Sequence, residues 1–146
     1  MDGNPLKSID GLGLLTEIFV WRGAGYGASA FGHFSVAVNN ISYSWGPSGM
    51  YISSLASYML KQMKFRSGLG AHLMISQTNE KKFEKYLKNY GKNNTYWFPG
   101  NVCTDPTNKG LKRLGYRFNT QIVPFSLRTE LARVGLAKNG FYIPKN

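Results

Sequence analysis

The sequence predicts an α+β fold, an antiparallel sheet with helices packed against it. Two alternating runs, Phe31 to Val38 and Ile41 to Trp45, flank Asn39-Asn40 and read as a β-hairpin. Ile52, Leu55, Ala56, Met59, Leu60 and Met63 recur at three and four spacing, as helices do. A second helical pattern follows, with apolar positions at Phe83, Tyr86, Leu87 and Tyr90. No repeat and no second core interrupts residues 15–146, so these form one domain behind a turn-rich leader at residues 1–14.

Taken in order, Glu17 to Arg22 is the first strand by β-propensity. Gly23 to Ala30 is a glycine-rich loop that leads to a strand and not to a helix, which argues against a dinucleotide fingerprint. In the hairpin, Asn39 and Asn40 suit the positive φ of a two-residue turn, which sets Val38 against Ile41, Ser35 against Ser44 and His33 against Gly46. Alternation then gives one core face, Val36, Val38, Ile41, Tyr43 and Trp45. The other face, His33, Ser35, Ala37, Ser42 and Ser44, is small and polar around one imidazole and suits a site. Gly46-Pro47-Ser48-Gly49 breaks the strand. A helix is expected over 52–65 with Ser53 or Ser54 as cap.

Ala71 to Ser76 is a strand carrying His72, read as structural. The second helix runs from a Thr78 or Asn79 cap to a stop at Gly91. Thr95 to Phe98 is a short strand before Pro99-Gly100. Thr104 or Asp105 caps a helix that has Pro106 in its first turn. Tyr116 to Val123 is extended, Pro124 to Gly135 is a short helix, and Phe141 to Pro144 adds an edge strand.

Charge and cysteine content narrow the function. Lys and Arg number 18 against 7 Asp and Glu, a net +11, which favours a polyanionic partner: nucleic acid, an anionic envelope surface or an acidic protein. No apolar run approaches the ~20 residues that span a bilayer. One cysteine and two histidines do not make a structural zinc site, and zinc deaminase chemistry lacks its cysteine pair. The seven acids are scattered, so no metal site and no cofactor are expected.

Cys103 stands at a helix start, where amides and the helix dipole favour a thiolate and can receive an oxyanion. That is the local equipment of a nucleophile. A lone cysteine also serves as a small buried hydrophobe, and a strand histidine as a structural one. The hairpin register puts Ser44 on the His33 face of the next strand, which makes it the candidate to orient the imidazole, with Ser42 and Asn101 as alternatives.

Two resemblances add to this reading. Pro5, Asp10, Gly13 and Leu14 match in register the cleavage junction that ends the core of Rhs (rearrangement hotspot) proteins, with Gly11 where that family has proline. The resemblance implies a variable C-terminal toxin made inside a secreted Rhs shell and cut loose at that junction. It also implies delivery into a target bacterial cell and an immunity protein in the producer, which the net charge suggests is acidic. Gly32-His33 with its alternating strand, Tyr43 to Pro47, and Asn101, Cys103 and Thr104 resemble the permuted NlpC/P60, papain-like cysteine hydrolases. Val102 is inserted where an Asn-Cys pair is usual. That resemblance implies Cys103 as nucleophile and His33 as its base, with Asn101, Thr104 and Gly32 serving the oxyanion or the substrate loop. It implies cleavage of amide bonds, with peptidoglycan peptides as the leading substrate. Action on a protein or lipid as protease, deamidase or acyltransferase is the second reading. A nuclease with His33 as base and a non-enzymatic plug inside the shell are the others.

Overall fold

The computed structural model describes residues 15–24 and 31–146. Pro5, Asp10, Gly13 and Leu14, the expected junction, lie outside the described residues.

The chain folds as an α+β domain with six antiparallel strands and four helices among the described residues. The strands are β1 (Thr16–Trp21), β2 (His33–Val38), β3 (Ile41–Gly46), β4 (Gly49–Ser54), β5 (Gly68–Leu73) and β6 (Ala137–Ile143). The helices are α1 (Leu55–Met63), α2 (Gln77–Asn93), α3 (Asp105–Arg113) and α4 (Pro124–Arg133). Strand order is β4-β3-β2-β1-β5-β6. The hairpin forms in the expected register, Val38 with Ile41 and Val36 with Tyr43, and both turn asparagines take positive φ, 51° and 67°.

One strand was not anticipated. Gly46 pairs with Gly49 across Pro47-Ser48, so that segment is a second hairpin turn and not a terminator. Gly49, at φ 104°, reverses the chain into β4 and delays α1 to Leu55. The pattern misled because Met50 and Ile52 alternate with Tyr51 and Ser53, while Ile52 also fits the helical spacing. Ser54 is the α1 cap and accepts from the Ser57 amide at 3.2 Å. In α2 the cap is Ser76 and not Thr78 or Asn79; its hydroxyl accepts from Asn79 N at 3.1 Å. The helix also runs through Gly91. The 95–98 segment forms only an isolated bridge between Trp97 and Asn101.

Both faces of the sheet are covered. On one, Ile18, Val20, Phe34, Val36, Val38 and Leu73 pack with Phe83 and Leu87 of α2, Leu111 of α3, and Leu127 and Leu131 of α4. On the other, Phe19, Trp21 and Ala37 pack with Tyr58, Leu55, Met59 and Met63 of α1. The polar hairpin face is therefore not open as expected: α1 closes it, and Ser35 and Ser42 are buried. Only its His33 end, at the strand mouth, is half-open.

Candidate active site

Gly32 sets the entry to β2. Its φ is 90°, and a Cβ there would stand 2.6 Å from the Trp21 carbonyl oxygen, so the chain can press against the end of β1 only as glycine. His33 then pairs with Trp21 and shares its face, the face of α1. Its Nε2 lies 2.6 Å from Ser44 Oγ. The Tyr58 hydroxyl stands by Ser35 and Ser44. Burial lowers the His33 pKa to about 4, and the Arg66 guanidinium adds to the effect. Arg66 is held by Gln62 Oε1 at 2.9 Å and by the Arg22 carbonyl at 3.2 Å.

Cys103 reaches the same point of β2 from the other face. The β2–β3 ladder ends at Val36–Tyr43, which leaves the Phe34 amide free of β3, and that N–H faces the Cys103 sulfur. The amide nitrogen is two bonds from the His33 Cα, so thiol and imidazole flank one peptide unit. No hydrogen bond joins them among the described residues, and the imidazole bond that forms is the one to Ser44.

The loop that carries the thiol is tightly braced. The Asn101 side chain accepts from the Tyr90 hydroxyl at 2.5 Å and donates to the Thr95 carbonyl at 3.1 Å. Val102 N donates to Asp105 Oδ2 at 2.5 Å, and Thr104 Oγ1 donates to the Ile122 carbonyl at 2.9 Å. The side chains of Asn101 and Thr104 are thus engaged in holding the loop. Thr104 precedes α3 without a side-chain capping bond, and Pro106 sits in the first turn as expected.

The expected lowering of the thiol pKa does not occur. Burial pushes Cys103, 9% exposed, up to about 11; the amides of Phe34 and Cys103 itself pull the other way, the Asp105 carboxylate opposes them, and Arg66 assists weakly. The amides that favour the thiolate are those of Phe34 in β2 and of Cys103 itself, not the first-turn amides of α3 that the sequence pointed to, and desolvation outweighs them. At neutral pH the resting site therefore holds a thiol and a neutral imidazole.

Beside the thiol lies a cavity of about 120 Å³. Phe31, Gly32, Phe98, Val102 and Cys103 line it together with Ile122, Val123 and Pro124, and Tyr96 brings the one other polar side chain. Around its mouth Phe31 is 61% exposed and stacks on Phe98 with ring centroids 6.0 Å apart. Trp97, Ile122, Val123 and Phe125 are exposed too. A Cβ at Gly100 would run into the Trp97 indole, so glycine there lets the ring lie across its own turn. Sequence reasoning missed this rim and Arg66. A signal existed: Trp97-Phe98 and Ile122-Val123 are apolar pairs placed directly before prolines, in loops that cannot bury them.

A second, wider groove of about 820 Å³ runs between α2 and α3, lined by Lys82, Lys85 and Arg113 with several asparagines and no acidic side chain. His72 is buried in β5, as a structural histidine would be, and burial lowers its pKa. Among the described residues no three metal-ligating side chains converge, and no helix is long and apolar enough to cross a membrane. No protein-family model, no curated protein and no solved structure matches the chain.

Proposed function

We propose that this chain is the toxic domain of a secreted antibacterial effector of the Rhs type and that it hydrolyses an acyl bond with Cys103 and His33, on a permuted papain-like arrangement. The observation that carries the reading is the convergence on the His33–Phe34 peptide: the thiol faces its amide, and the imidazole is anchored through Nε2 to Ser44. The imidazole tautomer that donates its Nε2 proton to Ser44 keeps the lone pair on Nδ1 for the thiol. His33 then takes the thiol proton as sulfur attacks a carbonyl carbon, and returns it to the leaving group. Ser44 acts as a positioning residue. The mechanism serves amides, of which peptidoglycan peptides are the case implied by resemblance, and equally acyl bonds of protein or lipid.

The +11 charge supports an acidic immunity protein whose binding weakens with salt. The test is growth of a bacterial host after induction of the whole chain, cytosolic or exported, beside Cys103→Ala at matched expression. Toxicity that disappears with the thiol supports the hydrolase, and the compartment in which it appears locates the target. A second reading, action on nucleic acid, is favoured by the acid-free groove of Lys82, Lys85 and Arg113. It predicts the converse: toxicity that survives Cys103→Ala and is lost when those three are changed to Glu.

A further inference from the structure

The cavity beside Cys103 is the wrong chemistry for a peptidoglycan stem peptide. Such a peptide carries carboxylates and amides along its length, and burying them unpaired is costly. Apart from the thiol, only Tyr96 among the lining residues has a polar side chain to meet them. The volume, about 120 Å³, admits about four carbon atoms, the first of an acyl chain whose carbonyl stands at the thiol, taking ~30 Å³ per water-sized group. Phe31 and Phe98 of the lining are themselves exposed, and Trp97 and Phe125, the chain neighbours of lining residues Phe98 and Pro124, are exposed as well. A Trp and Phe rim on a strongly cationic protein is suited to the boundary of an anionic bilayer, where rings enter the headgroup layer and lysines meet lipid phosphates.

We propose that this cavity takes the carbonyl-proximal carbons of a membrane phospholipid's acyl chain, and that the aromatic rim docks the domain on the anionic bilayer in which the rest of the chain stays. The proposal rests on the hydrolase reading for its chemistry but not for its docking. Cys103 sulfur bonds to the ester carbonyl carbon while its proton passes to His33. The carbon–oxygen bond to glycerol breaks, and the glycerol oxygen leaves with that proton. Water then attacks the thioester, giving up one proton to His33; the fatty acid departs and the thiol is restored. The sum is ester plus water to acid plus alcohol.

The test has two arms. In the first, the intact protein meets p-nitrophenyl acetate, butyrate, hexanoate and decanoate, with acylation of Cys103 followed by nitrophenolate release and by mass. The expected rate climbs about fourfold per added methylene until the cavity is full, then levels. In the second, Cys103→Ala and Cys103→Ser proteins are mixed with vesicles of phosphatidylglycerol or of phosphatidylcholine. Trp21 and Trp45 are buried, so a blue shift of emission reports on Trp97. The shift and co-sedimentation are expected with phosphatidylglycerol and are expected to fall at least tenfold in a Phe31→Ser, Phe98→Ser double variant. The wild type should free fatty acid from the same vesicles. Acylation of Cys103 that is indifferent to chain length, or absence of vesicle binding, overturns the lipid proposal and leaves the hydrolase standing. Chain-length-dependent ester cleavage with no fatty acid released from vesicles also overturns it and moves the acyl group to a soluble substrate. Vesicle binding with no acylation by any ester overturns both the proposal and the hydrolase.

Discussion

On one face of the sheet Ile18, Val20, Val36 and Leu73 meet the leucines of α2, α3 and α4; on the other, Phe19 and Trp21 pack under α1 and share their face with Glu17, His33, Ser35 and His72. The first face is mostly apolar, and its buried polar pair, Thr16 Oγ1 donating to Glu80 at 2.8 Å, is hydrogen-bonded. The second buries polar atoms, and Ser35 Oγ, Tyr58 OH and His72 Nδ1 make no hydrogen bond of good geometry there. Buried polar groups of that kind lower stability unless they serve another end. The two faces therefore differ in chemistry: the first holds the Cys103 thiol among apolar side chains, and the second holds the titratable Glu17, His33 and His72. At the mouth of β2, where the ladder to β3 has ended, the Phe34 amide faces the thiol and the neighbouring His33 side chain lies on the opposite face.

The sharpest test of that contrast is to remove His33, the proton carrier of the proposed reaction. His33→Ala should lower kcat/KM on a nitrophenyl ester by about 10² to 10⁴, the usual worth of a positioned base. Ser44→Ala should cost only about tenfold, because a hydroxyl orients the ring with a dipole and not a charge. Ser44→Ala should also change the pH profile, which a merely structural role would not do. Equal losses for the two variants would mean that Ser44 does more than position the ring.

The faces should differ in stability as well. Leu87→Ala, in the fully buried aliphatic layer, should cost about 3 kcal/mol in urea unfolding. Met59→Ala, half-buried on α1, should cost about 1 kcal/mol, since less area leaves water and the edge can relax. Comparable losses would show α1 to be as integral to the core as α2.

Much of this was legible in the sequence, for identifiable reasons. The β2–β3 register followed from Asn39-Asn40 because side chains alternate strictly and a two-residue turn leaves no slack. That register also brought Ser44 to His33. The α2 pattern was readable because the helix is long and periodic. Other features depend on contacts that no local pattern encodes. β4 was hidden by Ile52, which satisfies two periods at once. The cover over the polar face was invisible because α1 presents Tyr58 to it from twenty-odd residues away. The high thiol pKa was misjudged because a helix start is visible in the sequence, whereas the burial that raises the pKa and the Phe34 amide that opposes it both arise from the packed sheet.

That burial can be read directly. Alkylation of Cys103 by iodoacetamide requires the thiolate, so with a pKa raised to about 11 the rate should climb about tenfold per pH unit, a hundredfold between pH 7 and 9. A rate already level above pH 6 would mean a thiolate–imidazolium pair and would restore the activated cysteine that the helix start alone suggested. The imidazole gives the complementary limb: with its pKa lowered to about 4, His33 should remain a neutral base through mildly acid solution, and activity should fail only near pH 4.

The smallest effect concerns the polar face away from the site. Glu17 stands between Ala37 on β2 and His72 on β5, and burial raises its pKa from 4.5 to about 7. In the unfolded chain the carboxyl ionises near its ordinary value, so between pH 4.5 and 7 the folded protein binds more proton than the unfolded one. Stability from this group is therefore present at acid pH, falls as pH rises through that window, and stays low above it. His72 acts in the opposite sense, because burial lowers its pKa and favours the fold as the ring becomes neutral. Glu17→Gln removes the first dependence and leaves the second. Relative to wild type, the variant should gain about 2 kcal/mol in urea unfolding on going from pH 5 to pH 8. Any fixed difference in amide solvation cancels between the two measurements. A wild-type-to-variant difference that is the same at both pH values would show Glu17 ionised at its ordinary value, and the α1 face would then tolerate a buried charge that the contrast between the faces says it cannot.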